Sequence, residues 1–556
     1  MKFLKKHWLK IVIIIFFIIK CWIVSIQPIM VKGYSHDDAL FINSAINLVE
    51  GNWLGVYNDT ILSKGITGIL FLSIGYKLNL SYLFMEQLLY FIACISFVKM
   101  LKHITKNKII LLISYVILLF NPISFSDAVS FVYRDGIYIS FILLLISLSF
   151  EVFFRYKNKL RNLILYIFLL GIDLAAIYLC REETIWILPY LILAFIITIL
   201  FIIFDKSCKD KIKRISCILL IPLSIVSIYT LIISSINYRY YGRFITNDFT
   251  SKDFKDAYGA LTRIKPTNYI KRVPLNGEER KKLYKLSPAF KELEVYLEGK
   301  SELVYRHEIN QNGNTYIDYK EGFLYWAVRE AVYKKGYYTT AKSAKLYYER
   351  LANEINSLCD SKKLECHPKR SSLVAPLQKE SIPELIKYIP KTFDTQLKYK
   401  NVYVRIPDSN KKVNVSYYEK ITFNKAFYNS NDLNSNRMGI MQFILLIYQK
   451  INYILFVISL FFYVFNMIVF FLPKIHFKNY KEILLLNGLL CIYLIRIFVV
   501  GFVAATEYES AINKCQYLAS IYPIQSIFSI LNIIFGVKFL IKLKDKNIWR
   551  KYEKKI

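Results

Sequence analysis

Uninterrupted apolar blocks of about 20 residues constrain this chain more than any other feature. Two of the clearest cover residues 185–204 and 451–472, and neither contains a charged residue. A helical block of that length matches the hydrocarbon thickness of a bilayer. Because 55% of the 556 residues are hydrophobic, the sequence predicts a polytopic α-helical membrane protein and excludes a chain of ordinary soluble domains.

We predict ten spans, with an eleventh as an open alternative. The ten lie near residues 9–31, 83–98, 109–122, 136–154, 163–180, 184–204, 215–236, 446–472, 482–503 and 516–541. The further apolar segment 66–76 is short for a crossing, and a crossing there would invert every later loop. We therefore expect this segment at the outer face or re-entrant, with a genuine short span as the alternative.

The loops between the spans alternate in charge. The basic set comprises the N-terminus, residues 99–108, 155–161, 205–214 and 474–481, and the tail from residue 542. We expect the protein in the plasma membrane. The positive-inside rule then places these basic loops and both termini in the cytoplasm. The acidic loops 32–64, 122–135, 181–184 and 506–514 then face outward. Much of the net charge of +33 is thus explained by topology, and no nucleic-acid partner is expected.

Residues 237–440 separate an N-terminal membrane domain (1–236) from the C-terminal spans and basic tail (441–556). This long insert is predicted to be an extracytoplasmic soluble α+β domain. Its helices are expected from Ser287 to Glu298, over 321–335 and from Thr340 onward, and alternating valines predict a hairpin over 402–415. Trp326, in the second helix, either stacks on sugars or packs in the core.

Two cysteines of this insert, Cys359 and Cys366, lie close together in sequence. No four of the nine cysteines have a zinc-type spacing. The sequence permits a disulfide between Cys359 and Cys366 but favours two free thiols.

Charged residues at the outer ends of spans are the remaining candidates for chemistry, because the sequence lacks GxxxxGK[ST], GxGxxG, HExxH and CxxC. In the first outer loop (32–64), Asp37 and Asp38 precede a helical pattern. Either both only cap that helix, or one caps while the other enters a cavity as a general base or metal ligand. Adjacent residues of a helix diverge by about 100°, so the two cannot act as a facing acid–base pair.

Two more acidic clusters occupy the same predicted face, and the simplest alternative for each is that it only terminates spans. Their residues are Asp127, Arg134 and Asp135 before one span, and Arg181, Glu182 and Glu183 between two others. The cations on or near this face are Lys64, Arg134, Arg181 and Arg496. Arg496 lies inside an apolar span, so it either pairs with the intramembrane Asp173 or binds phosphate.

The motifs HDDALF, GNWLGVYN and SKGITGILFLSIGY after a first span resemble the C-type (GT-C) membrane glycosyltransferases of the protein O-mannosyltransferase and aminoarabinose-transferase kind. Asp37 and Asp38 match the acidic pair of that superfamily, and Asp135 resembles its second acidic position. Lys64 and Gly65 match a Lys-Gly-Pro-like element in which Ile66 replaces the proline. CREETIWILP and CQYLASIYP resemble segments of uncharacterised bacterial relatives. The resemblance covers residues 1–236 and 441–541.

The resemblance implies a GT-C-like fold and a transferase that moves a sugar from a polyprenyl-phosphate carrier to an extracytoplasmic glycan, lipid or protein. Asp37 or Asp38 would be the general base and Asp135 a further catalytic acid, with Glu182 and Glu183 as secondary acidic residues. The donor phosphate would be bound by Lys64, Arg134, Arg181 and Arg496. Some relatives use a divalent metal, so a metal is an open expectation.

Three other functions stay open. A ligase or polymerase of lipid-linked glycans would be expected to concentrate Arg and His in a late outer loop. A transporter would be expected to show repeated halves. A membrane receptor or assembly factor without catalysis would use Asp37 and Asp38 only as caps.

Overall fold

The computed structural model describes residues 2–33, 37–299, 305–471 and 483–544. The helices before the insert are α1 (Lys2–Val24), α2 (Asp37–Val49), α3 (Thr67–Lys77), α4 (Tyr82–Ile104), α5 (Lys108–Leu119), α6 (Asp127–Ser130), α7 (Arg134–Phe154), α8 (Leu160–Tyr178), α9 (Leu188–Phe204) and α10 (Lys211–Tyr241). The insert contains α11 (Lys252–Thr262), α12 (Gly277–Leu286), α13 (Pro288–Lys291), α14 (Glu294–Leu297), β1 (Arg306–Gln311), β2 (Asn314–Tyr319), α15 (Glu321–Lys334), α16 (Ala341–Asp360), α17 (Ile382–Leu397) and α18 (Ser416–Thr422). The last elements are α19 (Asn436–Phe471), α20 (Ile483–Thr506), α21 (Cys515–Leu518) and α22 (Ile521–Lys544).

Within these described ranges, nine helices are long and apolar enough to cross a membrane, which agrees with a polytopic helical protein. They are α1, α4, α7, α8, α9 with its preceding turn, α10, α19, α20 and α22. One predicted span, residues 109–122, forms only the 12-residue helix α5, followed by the 3-10 turn Pro122–Phe125.

Helix α5 and its 3-10 turn nevertheless traverse the helix bundle. Tyr115 bonds to Ile13 and Ser124 to Lys20, so residue numbers rise together along this segment and α1. Leu118 bonds to Tyr90 and Ser124 to Gln87, so residue numbers rise along this segment while they fall along α4. Residues 108–125 therefore run parallel to α1 and antiparallel to α4. With this segment, the described residues make ten traverses of the bundle.

The contacts divide the bundle into two ends. At one end, which we call the site end, lie α2, α3, the starts of α4 and α7, and the insert. At the opposite end Lys538 donates to the carbonyl of Ile104, and Arg214 Nη1 donates to the carbonyl of Tyr156 at 2.8 Å. Because the number of traverses is even, the start of α1 and the end of α22 both lie at this opposite end.

The short helix α3 accounts for the apolar segment 66–76. Eleven residues extend only about 16 Å as an α-helix, which is too short to cross the hydrocarbon core. Helix α3 packs against α2 and against α18 of the insert. Both neighbours belong to the site end, so the segment lies there.

The insert was expected to be an α+β domain. Its described residues are mostly helical and contain one two-stranded sheet. Helices α15 and α16 confirm two predictions, and Thr340 caps α16 by accepting from the backbone N–H of Ser343 at 3.1 Å. The helix predicted from Ser287 to Glu298 is broken into α13 and α14. The hairpin predicted over 402–415 is wrong, since these described residues form no strand. The hairpin lies at β1–β2, where Asn312 and Gly313 turn with φ of 52° and 78°.

Two further features of the insert differ from the predictions. Cys359 and Cys366 form a disulfide, so the expectation of free thiols is wrong. Helix α17 packs against the membrane helices, with Tyr493 of α20 donating to the side-chain carbonyl of Gln396 at 2.7 Å. The insert is thus joined to the bundle by side-chain contacts as well as by the polypeptide chain.

Candidate functional site

Asp37 and Lys64 form the centre of the candidate site. Asp37 opens α2, and Lys64 ends the loop that precedes α3. The Nζ of Lys64 lies 3.3 Å from Oδ1 of Asp37. The side chain of Asp37 is 36% exposed and that of Lys64 13%, so a ligand can reach both.

Asp38 has a different environment from its neighbour. It is fully buried, and its Oδ2 accepts hydrogen bonds from the backbone N–H groups of Lys32 at 2.7 Å and Gly33 at 3.0 Å. Carboxylates that accept backbone N–H bonds fix the path of the chain. Asp38 therefore holds the segment that leads into α2, while Asp37 faces Lys64.

The pKa of Asp37 is lowered. Burial of the carboxylate opposes ionisation, but the charges of Lys64 and Arg134 and a hydrogen bond from Tyr133 outweigh it. Asp37 is therefore an anion at neutral pH. It can accept a proton or attract a cation, but it is not a proton donor.

Glu182 joins three parts of the chain beside Asp37. It forms an ion pair with Arg134 at the start of α7. Its Oε1 also accepts the backbone N–H of Gly65 at 2.8 Å and the side-chain amide of Asn247, in the insert, at 3.2 Å. One carboxylate thus holds the Lys64–Gly65 segment, α7 and the insert together.

Asp135, Arg181 and Glu183 make a second ion-pair chain. Arg181 Nη1 lies 2.5 Å from Oδ1 of Asp135, and Arg181 Nη2 lies 2.7 Å from Oε1 of Glu183. Burial opposes ionisation of Glu183, but the charges of Arg181, Arg134 and Arg496 hold its pKa well below the usual range. The side chain of Asp135 is 1% exposed. It contacts Arg181 and is not accessible to a ligand in this structure.

Arg496 is a buried cation of α20, near the ion pairs of Asp135, Arg181 and Glu183. Its Nε donates to the carbonyl of Tyr517 at 3.1 Å, and its guanidinium lies 5.3 Å from the Trp186 ring centroid. No carboxylate oxygen of the described residues lies within 4 Å of it. The alternative pairing with Asp173 is absent, and both carboxylate oxygens of Asp173 lack hydrogen-bond partners in the described ranges.

Asp127 belongs to a different contact. Its Oδ1 accepts the backbone N–H of Tyr403 at 3.3 Å, at the junction of α6 and the insert. Burial raises the pKa of Asp127 to about 6. The remaining sequence-predicted residues, Lys64, Arg134, Arg181, Glu182 and Glu183, lie together with Asp37 and Asp135.

The structure adds Lys514, which the sequence did not single out, and brings Trp326 to the cluster. Lys514, in the loop between α20 and α21, is near enough to Asp37 and Lys32 to interact with both, although burial is the main cause of its lowered pKa. Trp326 of α15 comes from the insert and places its ring centroid 5.2 Å from Nζ of Lys64. A lone lysine in a polar loop carries no sequence signal, so Lys514 could be found only by packing.

The carboxylates of this cluster do not form a metal-binding set. Asp135, Glu182 and Glu183 each have an arginine partner. Among the described residues, no three His, Cys, Asp or Glu side chains are placed to hold a metal ion. The divalent metal that the sequence left open therefore finds no ligand set among these described side chains.

Known proteins give no further constraint on the site. The chain was compared with protein-family models, with curated proteins and with solved structures, and none of them matches.

Proposed function

We propose that this protein is an integral membrane glycosyltransferase that moves a sugar from a polyprenyl-phosphate carrier to an extracytoplasmic glycan, lipid or protein. The observation that carries the proposal is the accessible Asp37 carboxylate, paired with Lys64 at the site end of a membrane-type bundle and surrounded by further cations. The sequence resemblance to GT-C enzymes, which includes Asp37 and Lys64 in its motifs, also supports it. No nucleotide-binding motif is needed for such a donor.

The reaction requires a base and a place for a leaving phosphate. The acceptor hydroxyl oxygen would attack the anomeric carbon while Asp37 takes its proton, and the bond between that carbon and the phosphate oxygen would break. The departing lipid phosphate gains negative charge, which Lys64, Lys514 and Arg496 would stabilise. A carrier in the bilayer would reach these residues sideways, between the ends of the helices.

Asp38, Asp135 and Arg134 have supporting roles in this proposal. Asp38 holds the entry to α2, so it sets the position of Asp37. Asp135 fixes Arg181, and Arg134 is fixed by Glu182. Asp37 is therefore the single proposed base, Asp135 and Glu182 position arginines, and Asp38 positions the backbone of Lys32 and Gly33.

We further propose that the site end faces outward from the plasma membrane and that both termini are cytoplasmic. The alternation of loop charges supports this orientation. The disulfide between Cys359 and Cys366 lies in the insert, which belongs to the site end, and disulfides persist in oxidising compartments.

Mass spectrometry of lipid-linked sugars and envelope glycans tests the proposal. Cells would carry the wild type, a deletion, Asp37→Asn or Asp38→Asn, with Asp360→Asn as a matched control at an exposed carboxylate. At equal membrane levels, Asp37→Asn should abolish transfer and accumulate the polyprenyl-phosphate sugar. Asp38→Asn should chiefly lower the amount of folded protein.

Two outcomes would contradict the proposal. Unchanged glycans and carriers in Asp37→Asn, with a phenotype only in the deletion, would favour a transporter or a non-catalytic assembly factor. Accumulation of a preassembled lipid-linked oligosaccharide would indicate a ligase or polymerase.

A further inference from the structure

Arg329 of α15 is a buried cation between the insert and the first outer loop (32–64). Its side chain is 1% exposed. Its Nε donates to the backbone carbonyl of Asp59, in that loop, at 2.8 Å, and its Nη2 lies 3.0 Å from Oδ1 of Asp248, in the insert. A buried charge that loses its partner has no solvent to replace it, so such a contact is costly to break. Arg329 therefore ties the first outer loop to the insert.

Asp248 extends this junction along the loop. Its Oδ2 accepts the Tyr57 hydroxyl at 2.7 Å, and its backbone N–H donates to the carbonyl of Leu62 at 2.9 Å. The loop is thus held at residues 57, 59 and 62, and Lys64 follows two residues later. These contacts set the position from which the side chain of Lys64 reaches Asp37.

The backbone at Leu62 indicates that these contacts hold the loop against its local preference. Leu62 has a φ of 58°, in the left-handed region that residues with a side chain disfavour. A conformation of this kind persists where the surrounding structure maintains it. Here the N–H of Asp248 holds the Leu62 carbonyl, and Arg329 in turn holds Asp248. Without Arg329, we expect Leu62 to return to an ordinary backbone conformation and Lys64 to turn away from Asp37.

Trp326 connects the same helix to Lys64 directly. Trp326 and Arg329 are three residues apart, so they lie on one side of α15. The Trp326 ring stacks on Phe249 with 5.1 Å between centroids, and the Arg329 guanidinium lies 5.5 Å from the centroid of the same Phe249 ring. Helix α15 therefore contacts both Lys64 and the loop that carries it.

We propose that Arg329 is a positioning residue of the candidate site, which keeps Nζ of Lys64 beside Asp37 by holding Asp59 and Asp248. The inference rests on the proposed function for what Lys64 does, whereas the position of Lys64 can be measured without any activity. It gives the insert a direct part in assembling the site.

Arg329→Met tests this role in the whole protein in nanodiscs. The first readout is the rate at which N-hydroxysuccinimidyl acetate acetylates Lys64, measured by mass spectrometry. Lys64 is 13% exposed and paired with Asp37, so it should react slowly in the wild type and several-fold faster in Arg329→Met. The second readout is sugar transfer, which should fall on the order of 100-fold through misplacement of Lys64. The acidic limb of its pH–rate profile should move to higher pH, because the charge of Lys64 lowers the pKa of Asp37.

Arg280→Met is the matched control for a general loss of stability. Arg280 is also buried, with ion pairs to Asp318 and Glu298, and its described hydrogen bonds all lie within the insert. This variant should weaken the insert but leave Lys64 acetylation and the acidic limb unchanged. Tyr57→Phe removes only one hydrogen bond of the Asp248 junction and should speed Lys64 acetylation to a smaller extent, so the test remains available where Arg329→Met does not fold.

Three outcomes decide the proposal. Unchanged Lys64 acetylation in folded Arg329→Met, or in Tyr57→Phe where Arg329→Met does not fold, would overturn it. Equal changes in Arg329→Met and Arg280→Met would also overturn it, because the effect would then follow from the stability of the insert alone. Faster Lys64 acetylation in Arg329→Met, in a protein whose wild type transfers no sugar, would support the positioning role while refuting the transferase.

Discussion

Gly65→Ala is the most informative single substitution at the candidate site. The backbone at Gly65 is not in the left-handed region, so alanine meets no conformational obstacle. Its Cβ would overlap the carbonyl oxygen of Leu179 and lie 2.8 Å from that of Cys180. Both are backbone atoms between α8 and the Arg181 cluster, so they cannot rotate away as a side chain would.

The expected displacement follows from that overlap. Non-bonded atoms prefer roughly 3.5 Å, so the Lys64–Gly65 segment must move by about 1 Å. The movement would lengthen the hydrogen bonds from the N–H of Gly65 to Glu182 (2.8 Å) and from the N–H of Thr67 to Leu179 (3.1 Å). A 1 Å misplacement of a catalytic group lowers turnover on the order of 100-fold, while overpacking destabilises the fold by roughly 1–3 kcal/mol.

Two readouts separate misplacement from unfolding. Sugar transfer per molecule should fall about 100-fold, and hydrogen exchange should quicken at the amides of Gly65 and Thr67 while the amides of α7 stay protected. Gly439→Ala is the matched control, because no atom lies within 4 Å of its added Cβ. Turnover within twofold of the wild type, with unchanged exchange at Gly65, would refute the reasoning.

Two other substitutions test the electrostatics of the cluster. Lys64→Gln removes a cation that lowers the pKa of Asp37, and the pKa of Asp37 should therefore rise. The acidic limb of the pH–rate profile should move to higher pH, and an unmoved limb would exclude Asp37 as the base. Arg181→Met leaves the buried carboxylate of Asp135 without its partner and should destabilise the protein by roughly 3–5 kcal/mol, measured by denaturation in detergent. Adding Asp135→Leu to that variant should recover most of the loss, whereas a further, additive loss would contradict the pairing.

The membrane helices could be predicted from the sequence because their signals are local. Apolar length and loop charge identified the nine long helices. Residues 108–125 were harder, because α5 has only 12 residues and its traverse depends on hydrogen bonds to α1 and α4. Such contacts between distant residues have no local signature.

The composition of the site was also partly predictable. The loops that share one face predicted that Asp37, Lys64 and the clusters at 134–135 and 181–183 would lie near one another. Their pairings were not predictable, because the closer approach of Arg134 to Glu182 than to Glu183 depends on local backbone geometry. One of the two alternatives for Arg496, a pair with Asp173, is not formed among the described residues.

The misplaced hairpin shows a different limit. Val402, Val404 and Ile406 alternate with exposed residues, as in a strand. The segment bends at 404–405. It is held by Gln27, just after α1, which donates to the carbonyl of Val404, and by the N–H of Asp127 in α6, which donates to the carbonyl of Tyr403. Alternating burial is therefore real here without a paired strand. The true hairpin carried the stronger turn signal, Asn-Gly at 312–313.

The short helix α5 has a consequence for how the chain enters the membrane. A helix of twelve residues is short for a span, and the polar groups of this traverse are satisfied by α1 and α4, including Lys20 to Ser124 and Gln87 to Ser124. We therefore expect the insertion machinery to retain α1 and α4 until residues 108–125 emerge from the ribosome. The first three traverses would then leave for the lipid together, as one cotranslational unit.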